Sequence, residues 1–187
     1  MGSLKPGTDR AKKRRLFFAL WPDHHVRQQI DTLNRQLPSP EQGGRLMNSA
    51  NLHLTLYYIG SVNKREVICL TRAAERVAGR GFKLALNRLG YFKRPKVLWL
   101  GCDEIPDQYG ELLNLLSEEI AQCGFRIEVE GKRPHVTLRR KVSKPETDTG
   151  IETIEWQVEQ FVLVESVSVE GGVQYQVVES YPLNGVD

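Results

Sequence analysis

The chain has 187 residues, 40% hydrophobic and 26% charged, a size and composition that suit one soluble domain or two joined lobes. No apolar run approaches the ~20 residues of a membrane-crossing helix, and the basic start MGSLKPGTDRAKKRR lacks the apolar core of a signal peptide. The formal net charge of +3 is unevenly spread. Residues 16–100 carry 13 basic and 5 acidic residues, while 101–187 carry 7 and 17, so a groove for a polyanion is expected mainly from the first half.

In chain order, residues 1–14 read as a basic, disordered tail, with the KKRR run (12–15) as solvated charge, and 15–187 as a single domain. RLFFAL (15–20) reads as a buried strand. Pro22-Asp23 opens a helix carrying Val26, Ile30, Leu33 and Leu37 at helical spacing, and Pro38 and Pro40 stop it. A polar loop (41–51) precedes the strand LHLTLYYIG (52–60). Asn63 and Glu66 form a capping-box pattern ahead of a helix with Val67, Leu70, Ala74 and Val77 on one face; Gly79 and Gly81 end it. FKLALNRLGYF (82–92) alternates as one half-buried strand, and KRP (93–95) turns into KVLWLGC (96–102). Pro106-Asp107 opens a third helix, stopped by Gly124. FRIEVE (125–130) and PHVTLRR (134–140) are strand-like, and 141–150 is loop. WQVEQFVLVESVSV (156–169), the Gly171-Gly172 turn and VQYQVVESYPL (173–183) form a β-hairpin. Strict βαβ alternation fails after residue 82, so a mostly antiparallel α+β fold is expected. No glycine-rich nucleotide cradle is present.

The three cysteines, Cys69, Cys102 and Cys123, are odd in number and far apart. They read as unpaired core residues, which points to a reducing cytoplasm. Of the four histidines, His24 and His25 fall in the first turn of a helix and read as surface residues. The other two lie in an internal echo. His53-Leu54-Thr55-Leu56 and His135-Val136-Thr137-Leu138 stand 82 residues apart, each in a strand that follows a loop. Residues i and i+2 of a strand share a face, so each tetrapeptide presents one imidazole and one hydroxyl together.

Two such strands facing one cleft suit in-line displacement at a phosphodiester. One imidazole takes a proton from the attacking oxygen and the other gives one to the leaving oxygen, which is possible near neutrality because histidine titrates near pH 6.5. The hydroxyls can donate to the non-bridging oxygens, where negative charge accumulates. This scheme needs no metal, and the HExxH and paired-cysteine patterns that would hold one are missing. A strained five-membered cyclic phosphate is the fitting substrate.

The residues that carry the pattern (RLFFAL, Arg45 before NLHLTLYYIG, VLWLG at 97–101, RPHVTLRR at 133–140, and the closing glycine turn, Tyr175 and YPL) resemble the LigT-like RNA 2′,3′-cyclic phosphodiesterases, also called 2′-5′ RNA ligases, of the two-histidine phosphoesterase superfamily. The resemblance spans about residues 15–183. It implies an α+β, bilobal fold of two mostly antiparallel sheets with outer helices and pseudo-twofold symmetry around a central cleft. It also implies metal-independent hydrolysis of RNA 2′,3′-cyclic phosphate ends to 2′-phosphomonoesters, with no cofactor. By that likeness His53 is the proton donor to the departing O3′ and His135 the acceptor that activates water. By the same likeness Thr55, Thr137 and Arg140 bind the phosphate; a monomer in the cytoplasm is expected. Strand parity, however, places Arg139 rather than Arg140 on the face of His135 and Thr137, unless the strand bulges after Leu138. By the same parity Tyr57 lines the cleft and Tyr58 faces the core. Phe17, Phe18 and Tyr57 are the candidates for stacking a base, and Arg45 is either a phosphate contact or a solvated charge. Two other functions remain open on the sequence: 2′-5′ joining of tRNA halves by the same histidines, and a non-catalytic RNA-end binding module.

Overall fold

The computed structural model describes residues 13–38, 44–127, 133–143, 145–148 and 150–185. Its elements in chain order are β1 (Arg14–Leu20), α1 (His24–Gln36), β2 (Arg45–Leu46), a single 3-10 turn (Ser49–Asn51), β3 (Leu54–Val62), α2 (Lys64–Glu75), β4 (Phe82–Leu86), β5 (Arg88–Phe92), β6 (Val97–Gly101), α3 (Asp107–Ala121), β7 (His135–Arg140), β8 (Ile154–Val158), β9 (Gln160–Val169) and β10 (Gly172–Pro182). The helix starts follow the chemistry of the sequence. The Asp23 carboxylate accepts from the Val26 amide at 2.9 Å, and Asn63 with Glu66 forms a complete capping box on α2. Gly124, at φ 84°, stops α3 with a backbone conformation that glycine adopts without strain.

The strands make two antiparallel sheets. The larger runs β10-β9-β1-β3-β7-β6-β5, with β2 added beside β7, and the smaller is β4-β8. In the large sheet the two halves meet at one residue pair, Leu54 opposite Val136. These are the residues that follow His53 and His135. An antiparallel pair has a local twofold axis through its centre, so this junction places the two tetrapeptides back to back about a pseudo-twofold axis, one in each lobe. The helices cover one face over a continuous core that includes Leu54, Leu56, Leu70, Leu100, Leu112, Leu116, Val136 and Leu138. The other face is left open, and Phe17, Ala19, Val162 and Val164 form a small apolar floor there, with Trp21 and Tyr175 packed against it.

Several expectations change. Residues 82–92 are two strands, not one. The chain turns at Asn87, whose amide donates to the Gly101 carbonyl and whose side chain accepts from the Asp103 amide; β4 joins the small sheet and β5 the large one. Residues 156–169 divide in the same way at Glu159 into β8 and β9. Residues 125–127 are not in a strand, and the rest of that expected strand lies outside the described residues. The tail also ends earlier than expected, since Arg14 begins β1 and its guanidinium pairs with Glu165 at 2.7 Å. The reading of three unpaired cysteines is overturned. Cys69 on α2 and Cys123 after α3 form a disulfide and only Cys102 is free, so the argument from thiols to a reducing compartment falls. No helix among the described residues is long and apolar enough to cross a membrane.

Candidate active site

His53 and His135 both present their rings to the open face, and the local backbone holds the two rings alike. His53 Nδ1 is bonded to the Asn51 carbonyl at 2.7 Å, and His135 Nδ1 to the Arg133 carbonyl at 2.9 Å. In each case the acceptor is the carbonyl two residues earlier. A carbonyl can only accept, so Nδ1 carries the hydrogen and Nε2 is left facing the cleft. His53 Nε2 lies 3.0 Å from Thr55 Oγ1, so the expected imidazole–hydroxyl pairing is present in that lobe.

The parity conflict over the arginines resolves through a bulge. Opposite β6, Leu98 pairs with Arg139 and Trp99 with Thr137, which leaves Leu138 as an extra residue in β7. Leu138 and Arg139 are therefore both buried, and Arg140 is exposed on the cleft side. Arg139 is 3% exposed and donates to the Asn34 side chain and to the carbonyls of Asn34, Leu37 and Pro38 at the end of α1. Asn34 in turn donates to the carbonyl of the bulged Leu138 at 3.1 Å. Arg139 thus fastens a helix end, and Arg140 is the arginine free to face a substrate.

The first tetrapeptide carries the same bulge. Opposite β1, Phe18 pairs with Tyr57 and Ala19 with Thr55, leaving Leu56 as the extra residue. This reverses the expected roles of the two tyrosines. Tyr57 is fully buried, and its hydroxyl donates to the Leu113 carbonyl of α3 at 3.0 Å. Tyr58 is 62% exposed. Each lobe therefore has, after its motif, one buried residue tied to a helix (Tyr57, Arg139) and then one exposed residue (Tyr58, Arg140).

Aromatic walls, largely missed in the sequence, enclose both imidazoles. The His53 ring stands 4.9 Å from Phe17, 5.8 Å from Trp21 in a stacked arrangement, and 5.0 Å edge-on from Tyr175. The signal for Trp21 was its parity with Phe17 and Ala19. Phe18, another stacking candidate, is core and touches Phe161 and Tyr181 instead. His135 meets Phe92 edge-on at 5.1 Å and Trp99 at 6.1 Å. Trp99 lies flat across β5 at Gly90, where any Cβ would come within 2.0 Å of the indole. Two more residues that the sequence hid support the His53 side. The Asn51 side chain donates to the Val173 carbonyl and accepts from the Tyr175 amide, tying the motif loop to β10. The Arg27 guanidinium sits over the Trp21 ring at 5.2 Å and donates to the Ser49, Leu52 and Pro22 carbonyls. His24 and His25 are exposed at the start of α1.

Burial pushes the His53 imidazole down to about 4, although the Asn51 carbonyl opposes this, and the charges of Arg140, His135 and Arg27 press it further down. Burial and Arg140 also hold His135 below its ordinary value, against the pull of the Arg133 carbonyl. Burial and the shared Arg140 charge thus favour the neutral form of both imidazoles. An anion that neutralises Arg140 would raise both at once. Among the described residues no group of three or more His, Cys, Asp or Glu side chains converges as a metal site would require.

The sequence matches the model of the 2′-5′ RNA ligase superfamily over residues 21–170. It is 31% identical to the RNA 2′,3′-cyclic phosphodiesterase of Escherichia coli K12, covering 92% of this chain and 98% of that one. With the enzyme of the same name from Thermotoga maritima it shares 28%, covering 91% and 96%. The fold superposes on E. coli LigT complexed with 3′-AMP with a TM-score of 0.84, at 30% identity, over 92% of this chain and 99% of that one.

Proposed function

Since the chain belongs to the 2′-5′ RNA ligase superfamily, we propose that it hydrolyses RNA 2′,3′-cyclic phosphate ends to 2′-phosphomonoesters, without a metal, by acid–base catalysis from His53 and His135. The observation that carries this reading is the pair of matched imidazoles. Each has Nδ1 tied to the carbonyl two residues before it, which leaves Nε2 for a substrate, and burial and the Arg140 charge depress both.

In this mechanism the cyclic phosphate anion enters beside Arg140 and offsets its charge, which lets the imidazoles gain a proton between them. Nε2 of His135 takes a proton from water as its oxygen forms the new bond to phosphorus. The P–O3′ bond breaks on the opposite side, and Nε2 of His53 delivers a proton to O3′. The products are a 2′-phosphomonoester and a free 3′-hydroxyl, and relief of ring strain helps the step. Thr55 and Thr137 donate to the non-bridging oxygens and Arg140 balances their charge. One chain supplies every one of these groups, so a monomer is sufficient. The substrate, rather than the cysteines, is what argues for a cytoplasmic location.

Incubation of an oligonucleotide ending in a 2′,3′-cyclic phosphate, with EDTA present, tests this directly. The expected product is the 2′-phosphate, and His53→Ala and His135→Ala each lower kcat by roughly 10²–10⁴-fold with the fold retained by circular dichroism. A persistent cyclic end, or a 3′-phosphate, would overturn the assignment.

A further inference from the structure

The cations at the Arg140 end of the cleft are more numerous than a single phosphate needs, and their placement is specific. Arg140 pairs across strands with Arg45 of β2 on one side and with Val97 of β6 on the other. The turn before Val97 holds Lys93, Arg94 and Lys96, and Lys141 follows Arg140; all are exposed. The Val142 amide donates to the Lys96 carbonyl at 3.0 Å, which holds the two short segments side by side. Lys96 and Lys141, at φ 53° and 58°, are the two non-glycine residues of positive φ among the described residues, a conformation usually left to Gly or Asn. Arg45 and Arg140 stand opposite one another across strands, and the Arg45 guanidinium turns to the β9–β10 turn, where it donates to the Gly171 carbonyl at 3.1 Å. None of Arg45, Lys93, Arg94, Lys96, Arg140 and Lys141 has an ion-pair partner among the described residues, whereas Arg14, Arg35, Arg76, Arg80, Lys83 and Arg88 all do.

This cationic surface joins the active site through aromatics. Phe92, 37% exposed, stands between the turn and His135. Trp99 beside it is 8% exposed, and its indole Nε1 has no hydrogen-bond partner. A groove of about 1120 Å³ lined by Lys93, Lys96, Trp99 and Arg133 continues to Pro38 and Arg139 on the α1 side, with Glu146 and Asp148 as its acidic residues. Aromatic faces interleaved with cations are what single-stranded nucleic acid requires, because bases stack on the rings and phosphates follow the charges. At the other exit of the pseudo-symmetric cleft, Tyr58 takes the place that Arg140 has here.

We propose that the surface formed by Phe92, Lys93, Arg94, Lys96, Lys141 and Arg45 binds the single-stranded RNA immediately 5′ of the terminal cyclic phosphate, so that the strand leaves the cleft over the β5–β6 turn. This rests on the phosphodiesterase reading for its substrate, but it makes a separate demand: the protein favours oligonucleotides over mononucleotides, and does so by charge.

The test compares a mononucleoside 2′,3′-cyclic phosphate with a single-stranded oligonucleotide bearing the same end, from 50 to 200 mM salt. The wild-type protein and a triple variant, Lys93→Gln, Arg94→Gln and Lys96→Asn, are used, the last chosen because Asn tolerates positive φ. Binding of a 3′-hydroxyl oligonucleotide is followed in parallel by fluorescence anisotropy, which reads the surface whether or not turnover occurs. Wild-type kcat/KM for the oligonucleotide should exceed that for the mononucleotide and fall with salt. In the variant the fall in oligonucleotide affinity over this range should be smaller by about 20-fold, because three single-strand phosphate contacts are lost, with mononucleotide turnover unchanged. Equal salt dependence for both substrates, or a variant that binds the oligonucleotide as the wild type does, would overturn the proposal and leave these residues as solvating charge. Salt-dependent binding without turnover of either substrate would instead sink the phosphodiesterase reading alone.

Discussion

At the residue scale, the decisive feature is the extra residue that directly follows each His-x-Thr triplet. Leu56 and Leu138 fall out of register with β1 and β6, and the side chains that directly follow them change face; in β3 a second shift comes at Ile59. A period-two reading carries His53 with Thr55 and His135 with Thr137 onto one face correctly, then misplaces Tyr57, Tyr58 and Arg139. The bulges are invisible in HLTLYY and HVTLRR because the contacts around them are remote in sequence: Asn34 on α1 donates to the Leu138 carbonyl and Arg139 bonds back to Asn34, while Tyr57 after Leu56 reaches the Leu113 carbonyl of α3. The two adjacent arginines therefore have separable effects. Arg139→Met removes a charged donor from buried carbonyls at a cost of about 2–3 kcal/mol, which should lower Tm by roughly 5–10 °C with KM unchanged. Arg140→Gln should leave Tm within a degree or two and lower kcat/KM roughly 10- to 100-fold, the value of one charge-assisted phosphate contact. Thermal melts and initial rates on both variants check this. Arg139→Met weakening turnover at full stability would reverse the assignment.

At the scale of elements, helices and their caps were legible because they depend on local chemistry, as the completed Asn63–Glu66 box illustrates. The strands were legible as strands but not as members of different sheets. Phe82, Leu84 and Leu86 are buried on even numbers and Leu89 on an odd one, a slip of phase that marks Asn87 as the point where the chain passes between sheets. No such slip marks Glu159, because Ile154, Trp156 and Val158 give way to Phe161, Val162, Leu163 and Val164, all buried. The Cys69–Cys123 link could not be read so, because it depends on α2 packing against α3 across 54 residues. Closing a loop of that length removes unfolded-state entropy worth about 4 kcal/mol in the chain-entropy model. Dithiothreitol, or Cys69→Ser with Cys123→Ser, should accordingly lower Tm while sparing kcat, since neither cysteine lies in the cleft. Melting with and without reductant measures it, and an unchanged Tm would show that α2 and α3 hold together without the bond.

At the scale of the whole molecule, two lobes that meet at Leu54–Val136 bury two imidazoles beside Arg140, and burial first and that charge second set the pH response. The folded-state value of His53 lies at about 4 and that of His135 is also lowered, whereas both stand near 6.5 in the unfolded chain. Between pH 6.5 and 4 the unfolded state therefore binds more protons than the folded one. Stability contributed by the neutral rings is complete above pH 6.5 and is lost as pH falls toward 4. The same depression moves catalysis. In the free enzyme the base stays unprotonated, and the acid loses its proton, at lower pH than ordinary histidines would, so the optimum of kcat/KM should lie on the acid side of 6.5. Arg140→Gln removes a charge that presses on both rings, so both should titrate at higher pH, as followed by NMR of the imidazole C–H resonances. His53 should still lie below 6.5, because burial is its largest cause. A shift of His135 alone would mean that Arg140 does not act on His53, and the picture of one cation governing two proton-transfer groups would fail.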